Sequence, residues 1–328
     1  MPDLYPLLML PEFDPRPWGT LDLSPVYPGR RFEQKIGEAW LTGDHCKVAN
    51  GPLAGRTLND LSQKYGRDLV GNAAPEATRF PLLVKFLFPH EKLSVQVHPD
   101  DDAARRDGLP WGKTECWYVL DAKPGAQVAL GLKRGATRAE LQRAIQQKKA
   151  EDLLNWIDIH AGEMIYVAGG TVHTLGPGSI LVETQQQSDT TYRLYDYGRP
   201  RELHLEKGLA AVQENARSGK VQAGPSEGEK TELVASPYFV VEKYALSSEQ
   251  SFALQREGAS SAQILVAFSG CAQFECAGCG PVTLTAGDAV VVPACYGEFR
   301  VKPQWEVEFL RSRVPGTPRT APVIRLGE

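Results

Sequence analysis

LSVQVHPDD, residues 93–101, predicts a short strand with one buried face, because apolar and polar side chains alternate along it. In an extended chain, side chains two positions apart lie on the same face of the sheet. The apolar set is predicted to share one face: Leu93, Val95 and Val97. The polar set is predicted to share the other: Ser94, Gln96 and His98.

Two further stretches carry metal-binding residue types at strand-like spacings. Glu115 lies in GKTECWYVL (112–120) and His173 in YVAGGTVHTLG (166–176). If the faces of these strands meet inside a barrel, an amide, two imidazoles and a carboxylate converge on one point. Such a set leaves coordination positions free for a substrate, which is typical of a catalytic or ligand-binding metal rather than a closed structural one.

Each of these residues taken alone is more often structural or simply exposed. A lone histidine at a strand end binds a metal in about one case in ten. The combination is more specific, because Gln96 and His98 share a face that packs inward. Burying such a group without a partner costs about 1–3 kcal/mol. A metal ion would satisfy both side chains.

The composition is that of an ordinary globular protein of 328 residues, a length that predicts two domains. The net charge of −4, without any basic block, argues against a nucleic-acid partner. The proline-interrupted start, MPDLYPLLMLPEF, does not read as a signal peptide, and no run of about 18 apolar residues predicts a membrane span. A cytoplasmic protein is expected. No stripe typical of an oligomer interface stands out.

The six cysteines fit free thiols in a reducing compartment. Cys276 and Cys279 form an isolated CxxC. Without a second pair nearby, a zinc or redox role for them has about one chance in ten.

Most segments read as short strands between turns rich in Gly, Pro and Asp, which predicts an all-β sandwich or barrel. Three helical insertions are predicted, at about 50–66, 137–158 and 204–216. In the first insertion, the helical pattern begins after Thr57. The second insertion opens with a capping box formed by Thr137 and Glu140. The polar stretch QAGPSEGEKT, 222–231, is predicted to be a linker, and short β-like runs return beyond it.

Several stretches, in order along the first two-thirds of the chain, closely resemble the type I phosphomannose isomerases. They are RPWG (16–19), IGEAWLTGD (36–44), GPLAGRTL (51–58), FPLLVKFLFPHEKLSVQVHPDD (80–101), GKTECWYVL, GGTVHTLGPG (169–178) and VETQQQSDTTYRLYDYGR (182–199). The resemblance implies a mainly β fold of two cupin-like, jelly-roll barrels, with the helical insertions in the first.

The resemblance also implies that one divalent metal ion, most often Zn²⁺, is held by Gln96, His98, Glu115 and His173. The donor types by themselves also admit manganese, cobalt, nickel or iron. The implied reaction interconverts mannose 6-phosphate and fructose 6-phosphate. A proton moves between C2 and C1 through a cis-enediol intermediate.

A faint internal repeat links the two halves of the chain: GEMIYVAGGTVH (162–173) parallels GDAVVVPACYGE (287–298). His173 is matched by Glu298, and nothing like Gln-x-His precedes it. The prediction is therefore a catalytic domain at 1–221, the linker at 222–231, and a second cupin-like barrel without metal ligands at 232–328. The second barrel is expected to pack against the first.

Lys113 and Arg193 are the expected cations of the substrate pocket, because the resemblance places both at positions for substrate binding and catalysis. Lys113 shares the face of Glu115. A planar guanidinium suits phosphate or a developing enediolate, and an ammonium acts as a compact charge. Which of the two holds the phosphate stays open.

Two carboxylates, Glu183 and Asp189, are candidates for acid–base work or substrate binding. Glu183 follows an apolar strand and points the same way as Leu181. Proton transfer and a hydrogen bond to a metal-binding histidine are equally good readings of it. Asp189, in the turn QQSDTTYR, is expected to hold that loop or to pair with Arg193, and it is also a candidate for substrate binding.

The remaining polar residues carry weaker predictions. The run Asp100–Asp102 is expected to be a solvated turn that ends the strand. Trp18 and Trp40 are expected to be core or rim aromatics. No partner is predicted for four histidines: His45, His90, His160 and His204. The alternative functions are a non-catalytic carbohydrate-sensing cupin, a metal cupin acting on another sugar phosphate, and an iron-dependent oxygenase.

Overall fold

Antiparallel β-sheets dominate the computed structural model, which describes residues 3–253 and 259–325. The described helices are short: α1 (Leu58–Tyr65), α2 (Arg67–Val70), α3 (Asp101–Arg106), α4 (Arg138–Gln146) and α5 (Leu205–Ala211), with one 3₁₀ turn at Ala150–Leu153. The mainly β prediction is confirmed. Within the described ranges, no helix has the length and apolar character needed to cross a membrane.

Two sheets of the first half face each other. The larger one contains, in spatial order, β2 (Glu12–Thr20), β3 (Ile36–Thr42), β4 (Leu82–Leu87), β11 (Ser179–Gln186), β6 (Glu115–Ala122), β9 (Met164–Val167), β13 (Gly219–Val221) and β22 (Ile324–Arg325). The smaller one contains β12 (Tyr192–Tyr195), β5 (Val95–Val97), β10 (Val172–Leu175), β7 (Gln127–Leu132) and β8 (Leu154–Asp158). One apolar cluster, with members such as Trp117 and Val128, joins their inner faces.

The third sheet belongs mainly to the second half. It contains β1 (Leu7–Leu8), β20 (Ala289–Val292), β18 (Gln263–Cys276), β21 (Glu298–Arg313), β16 (Val240–Leu246), β15 (Lys230–Ala235) and β14 (Ser226–Glu227), with β17 (Gln250–Ala253) beside β21 and β19 (Val282–Thr285) beside β18. The long strands β18 and β21 each serve two sets of neighbours and wrap around an aromatic core. In the described residues, the ladder of each of the three sheets is open.

The terminal strands cross between the halves. Leu7 on β1 pairs with Val291 on β20, and Val221 on β13 pairs with Ile324 on β22. One large core cluster also takes residues from both halves, for example Phe86 and Phe239. The two halves therefore share buried surface, and each terminus completes the sheet of the other half.

The helix caps agree with the sequence. The Thr57 hydroxyl accepts from the backbone of Asp60, and Thr137 forms the predicted capping box with Glu140. Helices α3, α4 and α5 cover one face of the smaller sheet, where Val95 and Val97 share a cluster with Ala103, Leu141 and Ala211, whereas Leu58 and Leu61 of α1 belong to the large core cluster. Helices α3, α4 and α5 therefore support the sheet that carries the candidate ligands.

The predicted helical and linker bounds are wrong in part. The insertion at 137–158 ends as α4 at Gln146, because Lys148 takes a left-handed conformation (φ 60°), and its last five residues form strand β8. The insertion at 204–216 is helical only over α5. The segment 222–231 contains a hairpin, because Ser226 pairs with Thr231.

The turn predicted at Asp100–Asp102 is the start of helix α3. The Asp100 carboxylate accepts a hydrogen bond of 2.7 Å from the backbone of Ala103, which makes it the N-cap. The two aspartates that follow lie in the first turn, where the helix dipole favours negative charge. Consecutive acidic residues therefore serve a helix start here.

Candidate active site

The facing sheets bring the four predicted metal ligands together. Gln96 on β5 and His173 on β10 are directly paired across the smaller sheet. Glu115 begins β6 of the opposite sheet, and His98 follows β5. Leu93 departs from the predicted alternation, because the strand begins at Val95 and Leu93 lines the cavity beside Gln96.

Three of these side chains form a tight buried group, in which one ligand atom of each lies within 4.8 Å of the others. His98 Nε2 is 3.4 Å from Glu115 Oε2, and His173 Nε2 is 3.5 Å from Glu115 Oε1. Two ligands bound at about 2.0–2.1 Å around a tetrahedral zinc ion lie roughly 3.3–3.4 Å apart. The separations therefore fit a common metal ion.

Both histidines present a free lone pair to this centre. His98 Nδ1 is 2.8 Å from the carbonyl of Thr190, and His173 Nδ1 is 2.9 Å from the carbonyl of Thr171. A carbonyl only accepts, so each Nδ1 carries the proton and each Nε2 is left to bind a cation. Burial lowers the pKa of His98 well below 6.5 and that of His173 to about 4, so both rings are neutral near pH 7.

Gln96 completes the set after a half-turn of its amide. Its Nε2 lies 3.2 Å from His173 Nε2, and its Oε1 accepts from the Ser94 hydroxyl at 3.1 Å. Exchanging the two amide atoms turns the oxygen toward the centre, and the hydroxyl can then accept from the amide nitrogen. Gln96 therefore fits the role of an oxygen donor.

Unpartnered polar atoms mark the same place. Among the described residues, buried atoms without a hydrogen-bond partner include His98 Nε2, Glu115 Oε2 and Glu183 Oε1. Leaving such atoms unpaired costs about 1–3 kcal/mol each, so buried polar groups in native proteins nearly always have partners. A cation at the centre would satisfy the first two, which shows that these residues fit a metal ion.

A chain of alternating charges leads from this centre to the mouth of the cavity. Lys113 Nζ lies 3.5 Å from Glu115 and 3.9 Å from Glu183. Lys85 is the next cation, with its Nζ 3.6 Å from Glu183 Oε1 and 3.0 Å from Glu38 Oε2. Arg16 comes after it, with its Nε 3.1 Å from Glu38 Oε1. All but Arg16 are buried. Each charge is thus held by neighbours of opposite sign.

Among the buried carboxylates of the cavity, Glu183 has the pKa best suited to proton exchange near neutral pH. Burial and the nearby Glu115 raise its pKa to about 7, although Lys85 and Lys113 oppose the shift. Glu38 shows the opposite result: burial would raise its pKa, but Lys85 and Arg16 outweigh it and hold the pKa at about 2. The hydrogen bond from a metal-binding histidine to Glu183 is not formed, because both histidines use carbonyl acceptors.

The cavity above the centre holds about 280 Å³, close to the lower limit of small-ligand sites at about 300–1,000 Å³. Arg193 lies in its wall, paired in register with Gln96. Its Nη1 donates to the carbonyl of Glu202 at 2.8 Å, and its buried Nε has no partner among the described residues. The guanidinium therefore keeps one unused N–H donor in the cavity wall.

Asp189 and Arg201 also line the cavity. The predicted pairing of Asp189 with Arg193 is not formed within the described part of the chain, and Asp189 is exposed. Arg201 is instead fixed by Asp196, whose carboxylate takes two hydrogen bonds of 2.7 and 2.8 Å from its guanidinium. Burial and the nearby Arg201 lower the pKa of Arg193, although Asp196 opposes this shift.

The sequence analysis did not assign four charged residues that line the cavity: Arg16, Glu38, Lys85 and Arg201. Lys85 is a single charge inside the apolar run FPLLVKFLF, and it is buried. A lysine in such a strand needs a buried partner, which is itself a signal of a site. Glu38, in IGEAWLT, carries the same signal. Arg201 has none, because its place depends on Asp196 and the local loop.

Known proteins support one identity for this arrangement. A family model described as phosphomannose isomerase type I, catalytic domain, matches residues 26–136. The chain is 35% identical over 319 residues to the probable mannose-6-phosphate isomerase GmuF of Bacillus subtilis. The aligned region covers 91% of this chain and 96% of that relative. The chain belongs to the type I phosphomannose isomerase family.

Other phosphomannose isomerases agree. The mannose-6-phosphate isomerase ManA of Bacillus subtilis is 37% identical over 268 residues, which are 76% of this chain and 82% of that protein. A crystal structure of the mannose 6-phosphate isomerase from Bacillus subtilis aligns with a TM-score of 0.83 at 32% identity, over 94% of this chain and 99% of that one. A mannose 6-phosphate isomerase structure that is itself zinc-bound shares the fold, with a TM-score of 0.75 at 15% identity over 94% and 99% of the two chains.

Proposed function

We propose that this protein interconverts mannose 6-phosphate and fructose 6-phosphate by proton transfer between C2 and C1 through a cis-enediol. One observation carries the proposal: two neutral imidazoles, a carboxylate and an amide converge at the base of a cavity whose wall carries arginines. Membership of the phosphomannose isomerase family supports the same reaction.

One divalent ion, Zn²⁺ by preference, would be held by Gln96, His98, Glu115 and His173. The two nitrogen and two oxygen donors suit zinc. A bound ion would polarise the sugar carbonyl and so acidify the neighbouring C–H bond. The chain itself contributes the orientation of the donors, because carbonyl groups hold both imidazole rings.

The phosphate is assigned to Arg193 and Arg201 rather than to Lys113. The two arginines lie in the cavity wall, the Nε of Arg193 has no partner among the described residues, and a bidentate guanidinium matches phosphate geometry. Lys113 is more deeply buried, between the carboxylates of Glu115 and Glu183. The substrate would thus lie with its phosphate at the arginines and C1 and C2 near the base of the cavity.

Glu183 is the proposed acid–base residue. A group whose pKa lies near the working pH exchanges protons most effectively, and that of Glu183 is raised to about 7. It would take the proton from C2 of mannose 6-phosphate and return it to C1, while the hydroxyl proton on O2 passes to O1. The Lys113 ammonium, 3.9 Å away, would offset negative charge on the enediol oxygens and keep Glu183 oriented.

The architecture that we propose is a pair of cupin-like barrels. The two facing sheets, with their shared apolar cluster, would form the catalytic domain at 1–221, and the third sheet around its aromatic core would form the second barrel at 232–328. Both groups of potential metal ligands found among the described residues lie in the first half. A cytoplasmic location is proposed as well, because all six cysteines are free.

A coupled assay for fructose 6-phosphate tests the function. Mannose 6-phosphate should be converted by the purified protein, a chelator should abolish turnover, and added Zn²⁺ should restore it. Turnover that survives complete removal of metal would contradict the metal assignment. A metal-loaded protein that binds the sugar phosphate without turnover would instead support a sensor.

A further inference from the structure

A second group of metal-binding side chains lies outside the active-site cavity. Glu12 begins β2 at the edge of the larger sheet, and His45 and Cys46 follow β3. One ligand atom of each lies within 4.8 Å of the others. Glu12 and His45 are exposed, and the Cys46 thiol is buried beneath them.

The histidine–carboxylate separation in this group matches those of the candidate active site. His45 Nε2 lies 3.5 Å from Glu12 Oε2, against 3.4 and 3.5 Å for the histidine–carboxylate pairs around Glu115. The His45 ring is also oriented, because it packs on the ring of Trp40 at 4.9 Å between centroids. A carboxylate, an imidazole and a sulfur thus lie within 4.8 Å of one another, with the imidazole packed on an aromatic ring.

The charge around Cys46 favours a cation. The carboxylates of Glu12 and Asp44 both act electrostatically on the buried Cys46 sulfur. Asp44 binds Arg79 through Oδ2, while its buried Oδ1 has no hydrogen-bond partner among the residues described. A divalent ion would offset both carboxylates.

We propose that Glu12, His45 and Cys46 form a second metal site, for a thiophilic divalent cation such as Zn²⁺ or Cd²⁺. Carboxylate, imidazole and thiolate donors are those that zinc takes in proteins, and the exposed side leaves a position for water. On binding, the Cys46 thiol releases its proton to solvent and the sulfur bonds to the metal, without any change of oxidation state. This site is independent of the proposed isomerase activity.

Cadmium titration of metal-free protein distinguishes the two sites. A cadmium–thiolate bond absorbs in the near ultraviolet, whereas the set around Glu115 contains no sulfur. We expect this absorption to grow to saturation with one equivalent beyond that taken by the active site. His98→Ala should remove the active-site equivalent and keep the absorption.

Matched variants assign the absorption to Cys46. It should vanish in Cys46→Ala, and its apparent affinity should fall at least about tenfold in the exposed-residue variants His45→Ala and Glu12→Gln. Cys295→Ala, which removes an exposed cysteine elsewhere, should leave it unchanged. No thiolate absorption in the parent protein, unchanged titrations in His45→Ala and Glu12→Gln, or loss of the signal in Cys295→Ala would each overturn the proposal.

Discussion

The two halves of the molecule build the same turn and then use it differently. Gly162 and Gly287 both take φ 89° and donate to a carbonyl of a neighbouring strand, at 2.8 and 2.9 Å. The residue after each glycine accepts in return, from Val119 and Ala267. The repeat seen in the sequence is therefore a repeat of backbone geometry.

What lies inside each half differs. In the second half, stacked aromatic rings fill the interior, with centroids of Phe252 and Phe299 4.7 Å apart. Its buried polar residues form hydrogen bonds with one another: Arg311 donates to Gln263 at 2.7 Å and to Glu242 at 3.1 Å. In the first half, several converging polar atoms, such as His98 Nε2 and Glu115 Oε2, have no hydrogen-bond partner among the described residues. The comparison distinguishes a half whose buried metal-binding side chains converge on one centre from a half whose interior is mainly aromatic.

The largest effect is expected from His173→Ala. Losing one imidazole should remove the metal and lower kcat/KM at least about 10³-fold, because a Lewis-acidic metal supplies several kcal/mol. Metal analysis and the coupled assay on the same sample measure both losses. The matched variant in the second half, Glu298→Ala, should leave metal and rate unchanged; an equal loss there would remove the distinction between the halves.

Arg311→Leu should act on stability alone. It leaves Glu242 buried with less compensation, which costs about 3–5 kcal/mol when a buried pair is broken. Urea unfolding would measure the loss, and the metal content of the folded fraction should be unchanged. A variant as stable as the parent would show that this hydrogen-bonded cluster does not support the second half.

Arg193→Ala should act on activity alone. A charge-assisted contact is worth about 1.5–3 kcal/mol, so kcat/KM should fall about 10- to 100-fold while the metal stays bound. Steady-state kinetics with mannose 6-phosphate test this. Lys133→Ala, at an exposed position, is the control and should match the parent. Unchanged kinetics in Arg193→Ala would dismiss that residue from the substrate pocket.

The smallest effect concerns two buried glutamates with opposite pKa shifts. The raised pKa of Glu183 means that, in metal-free protein, its ionisation lowers stability as pH rises from 4.5 to about 7. Glu183→Gln should therefore gain stability relative to the parent across that range. Urea unfolding at a series of pH values measures the gain, and a constant difference would contradict the shift.

Glu242 is the counterpart in the second half. Burial alone would raise its pKa, but Arg311 and Lys230 lower it below 4.5. The stability that it contributes is present above pH 4.5 and is lost as pH falls through the lowered pKa. Glu242→Gln should thus be destabilised near pH 7 and approach the parent in acid, opposite in sign to Glu183→Gln.

Local patterns predicted the parts of the molecule that depend on local geometry. The alternation around Gln96, the capping box at Thr137 and the turn at Gly162 all follow from spacing and residue type. The convergence of Glu115 with His98 and His173 agrees with alternation and with the family resemblance together.

Long-range geometry was not available from those patterns. The exchange of terminal strands depends on pairs such as Leu7 and Val291, far apart in sequence. Arg201 enters the cavity only because Asp196 fixes it. Lys85 could have been found, since a single lysine in an apolar strand requires a buried acid. The start of α3 at Asp101 was missed because an aspartate run was interpreted by its solvation rather than by its capping ability.

Anomalous diffraction from crystals of the zinc-loaded protein would test directly whether one zinc ion lies among Gln96, His98, Glu115 and His173. An anomalous peak is expected within about 2.0–2.3 Å of four atoms: His98 Nε2, His173 Nε2, a Glu115 oxygen and the Gln96 amide oxygen. Zinc-dependent turnover with no peak at that position would contradict this assignment.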